Sequence, residues 1–365
     1  MNNNELKSVL AQRWSLLTAS ASARDTTCVR LFAGERDGCA GLIVDAFGKL
    51  VTATNYADSD APGSFSAAEL MRLLMAVCGD VRVIVKARAR VETTVKGEAT
   101  ESFTYLDSHE AQQASASATP IIATEGGLRF EIGTDPAHDF GIYLDAAKAR
   151  LHVRACARGA NVLNLFSYTA AFAVAAAAGG AAAVTNVDPN REYLAWGLRN
   201  AALNDVGFRV LPDTAQDFLR KHLRRLDRTP TTPAFDLVIV DPPAFGVGRG
   251  PERLLRLLWP EIFAALRTML PARIVLCCND KYFRARRSFV DLVQAELGAQ
   301  FEFTRLGTCL SVAEVASGRT PSLAYAPSPL LTPPRGGSGD VEDPYYVEPV
   351  VMAGTRRSAK PTTGP

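Results

Sequence analysis

The sequence lacks the patterns that usually identify membrane proteins, zinc proteins and dinucleotide-binding proteins. None of its apolar runs reaches the roughly 20 residues that a membrane-spanning helix requires. Among 365 residues there are only seven cysteines and four histidines, and the adjacent Cys277 and Cys278 lack the spacing of a zinc half-site. The glycine fingerprint G-x-G-x-x-G, which lets a pyrophosphate lie against a helix, is also absent. We therefore predict a cytoplasmic protein with reduced thiols, no metal ion and no membrane span.

A large excess of charge of one sign is also missing. Lys and Arg together number 40 against 38 Asp and Glu, which gives a net charge of +2. This balance gives no overall signal for nucleic acid as a partner. The basic residues nevertheless cluster within residues 220–228 and 281–287. Such clusters are more often solvated helix faces than phosphate contacts, so the sequence leaves both interpretations open.

What the chain does contain is typical of a folded protein with about two domains. Hydrophobic residues make up 47% of the sequence and charged residues 21%. We predict an N-terminal helix and linker (1–26), a small α+β domain (27–119), a doubly wound α/β domain (120–332) and a disordered tail (333–365). The tail is assigned from its high content of Gly, Pro, Ser and Thr. The start of the chain could also be a weak organelle presequence, but an amphipathic helix fits its apolar spacing better.

Five strand-like segments alternate with helical segments from about residue 145 onward. These segments are 162–166, 183–187, 208–211, 236–240 and 274–278. Strands that alternate with helices in this way form a parallel sheet with helices on both faces, as in Rossmann-like folds. In such a sheet ligands bind beyond the carboxyl ends of the strands, so the residues that follow these segments are the candidates for function.

The fourth of these segments ends in an unusual combination of residues. An apolar, β-branched run, Leu237–Val240, precedes Asp241, two prolines and the aromatic Phe245. The prolines fix the φ angles of the loop, so the acid and the ring are presented rigidly. A carboxylate beside a ring suits a flat heteroaromatic substrate such as a nucleobase, which would stack and donate an N–H. A strand-end turn with a capping Asp is the plainer alternative.

The first two segments end in residues that suit a cofactor containing a nucleoside. The turn Asn164–Thr169 leads into a helix whose free N–H groups favour polar or anionic atoms. One strand later comes Asp188, an acid placed to bind the two hydroxyls of a ribose. Because the turn contains no glycine, a pyrophosphate is disfavoured. A nucleoside without a diphosphate, such as S-adenosylmethionine, fits both features.

These segments stand in the order and spacing of a known family. The chain resembles the class I S-adenosylmethionine-dependent methyltransferases that modify cytosine C5 or guanine N7 in bacterial 23S rRNA. The resemblance covers about residues 5–280 and several ordered motifs, which together are much more specific than any one of them. The motifs are Arg30–Asp45, Gly141–Asp145, Val162–Thr169, Val187–Asp188, Asn200–Asn204 and Asp241–Phe245.

The resemblance implies a Rossmann-like methyltransferase domain, S-adenosylmethionine as cofactor, and RNA, in particular rRNA, as partner. The implied cofactor-binding residues are Asn164, Phe166, Ser167, Tyr168, Thr169, Asp188, Asp213 and Asp241. The implied catalytic residues are Asp241, Phe245, Cys278 and Asn279. Family members commonly carry an N-terminal PUA RNA-binding domain. This chain starts at the helix that follows it, so we expect that module to be missing.

The atom that would be methylated depends on the residues around Cys278. A C5 enzyme first attacks cytosine with a cysteine thiolate, because C5 alone is a poor nucleophile. Asn279 stands at the position of that cysteine, one residue after Cys278. The guanine-N7 members carry a motif closer to Cys277–Phe283, and a nitrogen lone pair needs only proximity and alignment. We favour the nitrogen and keep C5 open, while both cysteines could also pack as small apolar groups.

Several positions depart from the family. Two glycines after Ser-Tyr-Thr are replaced by Ala170 and Ala171, which fit if both positions are helical. The usual Gln-Arg after Tyr-Leu-Asp is replaced by alanines at 146–147, and an acid that contacts adenine is replaced by Thr214, with Asp213 as a substitute. These departures keep a non-catalytic RNA-binding protein of the same fold as the main alternative. A nicotinamide-dependent oxidoreductase is a further alternative that the missing glycine fingerprint disfavours.

Overall fold

The computed structural model describes most of the chain. The described residues are 1–20, 25–57, 65–88, 92–93, 99–100, 103–109, 120–135, 140–229, 234–243, 251–278, 289–307, 309–319, 321, 323 and 350–357. The chain divides into two compact units, the first comprising Met1–Ala147 with Cys309–Ser322, and the second Lys148–Thr308 with Leu323–Tyr325 and Glu348–Pro365. Within the described ranges no helix combines the length and the apolarity that crossing a membrane requires.

The first unit is built on a five-stranded sheet. Its elements in chain order are α1 (Asn3–Ala19), β1 (Cys28–Ala33), β2 (Leu42–Phe47), β3 (Leu50–Asn55), α2 (Ala67–Cys78), β4 (Arg82–Arg88), β5 (Glu92–Thr93), β6 (Ala99–Thr100), β7 (Phe103–Asp107), β8 (Ile121–Glu125) and β9 (Leu128–Ile132). The sheet has the order β1–β2–β3–β4–β7, with β3 and β4 parallel and the other pairs antiparallel. Capping boxes, Asn2 with Glu5 and Ser66 with Glu69, fix where α1 and α2 begin.

The hairpin β8–β9 belongs to the first unit, whereas the sequence placed residues from 120 onward in the α/β domain. The hairpin is bound to the segment before β1. Thr27 N–H donates to the Thr124 carbonyl (2.8 Å), and Thr124 N–H donates to Thr27 Oγ1 (2.9 Å). Gly127 N–H at its turn donates to the Asp25 carbonyl (2.7 Å). The Thr27–Thr124 bonds join residues 97 positions apart, and no local pattern in the sequence reveals such a pairing.

The second unit is a seven-stranded sheet with helices between its strands. Its elements are α3 (Ala147–Cys156), β10 (Asn161–Leu165), α4 (Ala171–Ala178), β11 (Ala183–Val187), α5 (Arg191–Leu203), β12 (Arg209–Leu211), α6 (Ala215–Arg228), β13 (Leu237–Val240), α7 (Pro251–Met269), β14 (Arg273–Cys278), α8 (Phe289–Leu297), β15 (Phe301–Leu306) and β16 (Val350–Arg356). The short helix α9 (Val312–Ala316) belongs to the first unit. The strand order is β12–β11–β10–β13–β14–β16–β15, parallel from β12 to β14, with β16 antiparallel to both its neighbours. This confirms the predicted Rossmann-like doubly wound fold.

The two faces of this sheet differ in chemistry because side chains alternate along each strand. Leu163 and Leu165 of β10 join a hydrophobic cluster with residues of α6, α7 and α8. In that cluster Trp259 and Phe263 of α7 stack with their ring centroids 5.4 Å apart. Asn164, between the two leucines, points to the opposite face. Helix α4 packs on β10, β11 and α5 outside the cluster.

The composition of residues 333–365 predicts a disordered tail, and this prediction is wrong for Val350–Arg356, which form β16. The strand lies between β14 and β15, where Met352 aligns with Leu276 on one side and with Arg305 on the other. Val351 and Met352 are buried. The apolar run is short and lies in a segment rich in Gly, Pro and Ser. The composition of the segment therefore hid the strand.

Candidate functional site

The carboxyl ends of neighbouring parallel strands bring the predicted site residues to one edge of the seven-stranded sheet. The last residue of β10 aligns with the last residues of β11 and β13. Phe166, Asp188 and Asp241 are the next residues along these three segments. The last residue of β11 aligns in turn with Leu211 of β12, two residues before Asp213. The sheet thus gathers the turn after β10 and the three acids at one edge.

The turn after β10 has a strained backbone. Phe166, Tyr168 and Ala170 have positive φ angles of 57°, 48° and 62°. A non-glycine residue in this left-handed region costs of order 1–3 kcal/mol and persists only where surrounding contacts hold it. Among the described non-glycine residues only Asp205 and Leu270 share this region. This concentration of strain in one short turn is typical of a functional segment.

Asp188 holds the turn and keeps acceptor capacity for a ligand. Its Oδ2 accepts from the Tyr168 N–H (3.0 Å) and its Oδ1 from the Asn190 N–H (2.9 Å). Burial raises the pKa of Asp188 above its ordinary value of 3.8, and the two backbone N–H groups oppose that rise. A carboxylate offers about four acceptor positions. The two hydroxyls of a ribose could therefore bind without displacing either backbone bond.

Helix α5 supports the turn through two residues. Asn200 is fully buried, and its Nδ2 donates to the Thr169 carbonyl (3.0 Å). A Cβ at Gly197 would lie 2.8 Å from the Ala170 Cβ and 3.3 Å from the Thr169 carbonyl carbon. Because real Cβ atoms do not approach so closely, only glycine allows α5 to lie this near the turn.

Buried polar atoms next to the turn fit the polar amino-acid part of S-adenosylmethionine. Asn164 and Asn186 align on β10 and β11, and Asn164 Nδ2 donates to Asn186 Oδ1 (2.8 Å). Asn164 Oδ1, Asn186 Nδ2 and Ser167 Oγ are buried without a hydrogen-bond partner in the described part of the chain. Such groups cost about 1–3 kcal/mol each unless a ligand or water satisfies them. Helix α4 also begins without a side-chain cap, which leaves its first N–H groups for a polar ligand.

Asp213 lies at the same edge but also binds residues of α6. Its Oδ2 accepts from Lys221 Nζ (2.6 Å) and its Oδ1 from the Thr214 N–H (3.0 Å). Thr214, where the resemblance implies an acid, caps α6, and its Oγ1 accepts from the Asp217 N–H (3.1 Å). Asp213 is therefore the carboxylate at this strand end, and an adenine amine would share it with Lys221.

The predicted catalytic residues have different surroundings. Asp241 follows β13 and is partly buried, whereas Phe245 and Asn279 lie outside the described residues. Cys278 belongs to the hydrophobic cluster, together with Phe289, and is 4% exposed. A thiolate nucleophile must reach its substrate, so this placement disfavours Cys278 as a nucleophile and favours its packing role.

The two alanines after the turn do not share one conformation, so the condition under which both would fit, that both positions are helical, is not met. Ala171 is the first residue of α4, but Ala170 precedes the helix, with φ 62° and ψ 27°. Ala170 is also fully buried. This backbone conformation favours glycine, because glycine has no Cβ. The family's glycine at this position therefore has a physical reason, and alanine is strained here.

Three buried residues that support the turn, Asn186, Gly197 and Asn200, were not predicted as site residues. The contact of Asn186 with Asn164 depends on the register of two strands, which the sequence does not show. Gly197 and Asn200 are three positions apart and share one face of α5. The signal available in the sequence was this spacing of a glycine and an asparagine. Asn200 also begins one of the motifs that carry the family resemblance.

Comparisons with known proteins find similarity to methyltransferases. Residues 111–283 match the model of a family described as S-adenosylmethionine-dependent methyltransferase. Ribosomal RNA large subunit methyltransferase I of Escherichia coli O139:H28 is 30% identical over 237 residues, covering 64% of this chain and 55% of that protein. Ribosomal RNA large subunit methyltransferase K/L of Shewanella sp. (strain MR-4) is 34% identical over 155 residues, covering 42% and 20%. The chain thus spans about half the length of the first of these relatives and a fifth of the second.

Solved structures share the fold. An S-adenosylmethionine-dependent methyltransferase from Agrobacterium tumefaciens has a TM-score of 0.54 at 17% identity, covering 92% of each chain. A structure described as a methyltransferase complexed with SAH, the product form of the cofactor, has a TM-score of 0.63 at 21% identity, covering 94% of this chain and 81% of that chain. At these identities the likeness supports the fold alone. Residues 111–283 are thus similar to an S-adenosylmethionine-dependent methyltransferase, and the solved structures support the Rossmann-like fold.

Proposed function

We propose that the protein transfers a methyl group from S-adenosylmethionine to a base in RNA, in particular a base of the large ribosomal RNA. The observation that carries the proposal is the sheet edge where the strained turn, Asp188 and Asp241 follow three adjacent strands. One part of this edge suits a nucleoside cofactor and the other a flat substrate. The relatives named as rRNA methyltransferases support RNA as the substrate. A cytoplasmic location follows from that substrate.

In this proposal the turn and the acids bind different parts of the cofactor. S-adenosylmethionine, when bound, supplies an electrophilic methyl group on a sulfonium. Asn164 and the turn Phe166–Thr169 would hold its methionine part, since buried polar atoms and an uncapped helix start lie there. Asp188 would accept the ribose hydroxyls and Asp213 the adenine amine.

Asp241 is proposed to orient the substrate base and to border the cofactor. It follows β13, whose last residue aligns with the residue before Phe166. A carboxylate that accepts an N–H from the base would hold the ring in line with the methyl group, and such positioning can supply much of the rate. Phe245 would stack on the ring. A base within a duplex would first have to be flipped out.

The packing of Cys278 supports a nitrogen as the methylated atom. The C5 route needs a thiolate that adds to the ring, and Cys278 lies in the hydrophobic cluster. We therefore propose guanine N7, or another nitrogen, ahead of cytosine C5, with Asn279 next to the base. Replacing both Cys277 and Cys278 with Ser should then leave turnover largely intact. A covalent adduct with 5-fluorocytosine RNA that disappears in Cys278→Ser would contradict this assignment.

The backbone at Ala170 supports a second function, RNA binding without turnover. Alanine in a left-handed conformation adds strain to the turn, and its methyl group fills space in the closely packed contact with α5. Under this alternative the protein keeps the fold and its RNA affinity but transfers no methyl group even in a single-turnover reaction.

The test is methyl transfer by the purified chain from isotopically labelled S-adenosylmethionine to rRNA from cells that lack the gene. Mass spectrometry of the nucleosides identifies the product, and calorimetry measures cofactor binding. One labelled nucleoside supports the proposal and names the base. Cofactor binding without transfer supports the non-catalytic alternative. Binding of NADH in place of S-adenosylmethionine would contradict both and support an oxidoreductase.

A further inference from the structure

Helix α6 carries a row of basic residues that starts near the proposed cofactor site. The row consists of Arg220, Lys221, Arg224, Arg225 and Arg228, all exposed, and these five residues form the basic stripe. The helix begins two residues after Asp213, one of the acids at the site edge. Lys221 Nζ reaches back to Asp213 Oδ2 (2.6 Å). The basic stripe therefore starts at the edge of the sheet at which the base is proposed to react and runs along α6 away from that edge.

Packing fixes which side of α6 carries the charge. Leu219 and His222 are buried, and the rings of Phe218 and His222 stack with planes 8° apart. Burial lowers the pKa of His222 below its ordinary 6.5, and the charge of Arg225 lowers it further, so His222 is neutral at pH 7. The inner face of the helix thus belongs to the core, and the basic stripe faces outward.

The basic stripe contains charge that the described part of the chain does not neutralise. Arg220 pairs with Asp217 (2.6 Å). The side chains of Arg224 and Arg228 are exposed and make no hydrogen bond, ion pair or ring contact with any residue that the structure describes. Like charges four positions apart destabilise a helix. The helix dipole offsets this at Arg228 in the last turn, but not at Arg224. Arg224 and Arg228 therefore favour an anion from outside the chain.

We propose that the basic stripe of α6 binds the phosphate backbone of the RNA whose base enters the site. This inference rests on the proposed function. A row of guanidinium groups along a helix suits a row of phosphates along a strand, because arginine binds phosphate in a bidentate manner. Phosphate contacts give affinity and orientation without reading sequence. Recognition of the base itself would then remain with the loop of Asp241.

The variant Arg224→Gln/Arg228→Gln tests this proposal. It removes two charges that have no partner among the described residues, and the glutamines that replace them are good helix formers. Binding of a fluorescein-labelled single-stranded RNA to the full chain is measured over a series of salt concentrations. We expect the affinity to fall about 25-fold near 0.1 M salt and the slope of log K against log salt to become shallower by roughly 1.4, since each lost single-strand phosphate contact contributes about 0.7. Cofactor affinity and melting temperature should stay unchanged.

The matched control is Arg158→Gln/Arg273→Gln, which removes the same charge from two exposed arginines near the amino ends of β10 and β14. Its affinity should match the wild type. If both double variants weaken RNA binding equally, only net charge matters and the basic stripe is not the site. If the α6 variant keeps its affinity and slope while the wild type methylates RNA, this inference fails and the proposed function stands.

Two further outcomes would overturn the inference. If the wild-type chain binds no RNA at low salt, both the inference and the proposed function fail. If polyglutamate binds the wild type as tightly as RNA and loses affinity equally in the α6 variant, the partner of the basic stripe is an acidic protein.

Discussion

The two faces of strand β10 show how one strand serves both stability and function. Toward α6, α7 and α8, β10 contributes Leu163 and Leu165 to an apolar cluster that includes the fully buried Trp259. Toward the other face it contributes Asn164, whose Oδ1 has no partner among the described residues. Because side chains alternate along a strand, consecutive residues can meet opposite requirements.

The difference between the two faces shows that the backbone strain of the site is separate from the packing that stabilises the unit. The apolar cluster stabilises the unit and has no need of a ligand. The turn that follows β10 carries three non-glycine residues with positive φ, each unfavourable by of order 1–3 kcal/mol. The stability of the cluster therefore holds the turn in a conformation that the turn would not adopt alone.

Asp241→Ala should have the largest effect. It should reduce catalysis without reducing the stability that the apolar cluster provides. We expect methyl transfer to RNA to fall by about a hundredfold to a thousandfold, because the substrate base loses the carboxylate that orients it. Cofactor affinity, measured by calorimetry, should stay within a few fold, and the melting temperature should change little. A normal rate of transfer in this variant would contradict the assignment of this loop to the substrate.

Asp188→Ala should weaken S-adenosylmethionine binding by about 1.5–3 kcal/mol, the value of hydrogen bonds to a charged acceptor. The measurement is calorimetry on a variant whose circular dichroism matches the wild type. Asp213→Ala is the comparison within the same edge and should have a smaller effect, since Asp213 is already paired with Lys221. Unchanged affinity in a folded Asp188 variant would contradict the placement of the ribose.

Asp188 should also give cofactor binding and stability opposite dependences on pH. Its folded-state pKa is raised by burial. Its contribution to stability is therefore fully present below the ordinary 3.8 and is lost as pH rises through the raised pKa. Cofactor affinity should instead fall as pH is lowered through the raised pKa, because a protonated acid accepts fewer hydrogen bonds. Calorimetry over a pH series should show this fall in the wild type and not in Asp188→Ala.

Gly197→Ala should disturb the turn without touching the apolar cluster. The added Cβ would lie 2.8 Å from the Ala170 Cβ, and such overpacking typically costs about 1–3 kcal/mol of stability. Cofactor affinity should fall with it. Gly207→Ala is the matched control, since a Cβ there meets nothing within 4 Å, and urea unfolding should show no loss. Equal behaviour of the two variants would mean that α5 does not support the turn.

The smallest effect should come from exchanging the two alanines for glycine one at a time. Ala170→Gly relieves a left-handed alanine but loses a buried methyl group worth about 0.8 kcal/mol, so its free energy of unfolding should change little. Ala171→Gly lies at the start of α4 and should destabilise by up to about 1 kcal/mol. If Ala170→Gly also binds the cofactor more tightly, the strain of the turn limits cofactor affinity. A larger loss at 170 than at 171 would contradict this account.

Much of the fold could be predicted because it depends on local patterns of apolar and polar residues. The predicted strand 183–187 coincides with β11. A strand and the helix that follows it each have a characteristic spacing of apolar residues, which can be recognised in the sequence. The strand β16 and the attachment of the hairpin β8–β9 could not be predicted, since both depend on pairing with distant residues.

The location of the site at the strand ends could be predicted from the sequence, but the backbone conformation of its turn could not. Asp188 and the turn after β10 follow from where ligands bind in a parallel sheet. The φ of Ala170 and the contact of Gly197 depend on how α5 packs, and residue type alone does not determine that. The same holds for Cys278, whose surroundings come from α7 and α8.

Strand β16 also determines when the sheet can be completed during translation. Both β14 and β15 pair with β16 rather than with each other, yet β15 ends at Leu306 and β16 begins only at Val350. A nascent chain that ends at α9 therefore has an open edge on β14 and a β15 with no partner among the described strands. Unpaired edges recruit strands from other chains. While the segment between α9 and β16 is being synthesised, these unpaired edges are thus open to misassembly with other chains, and a chaperone that binds exposed strands would protect them.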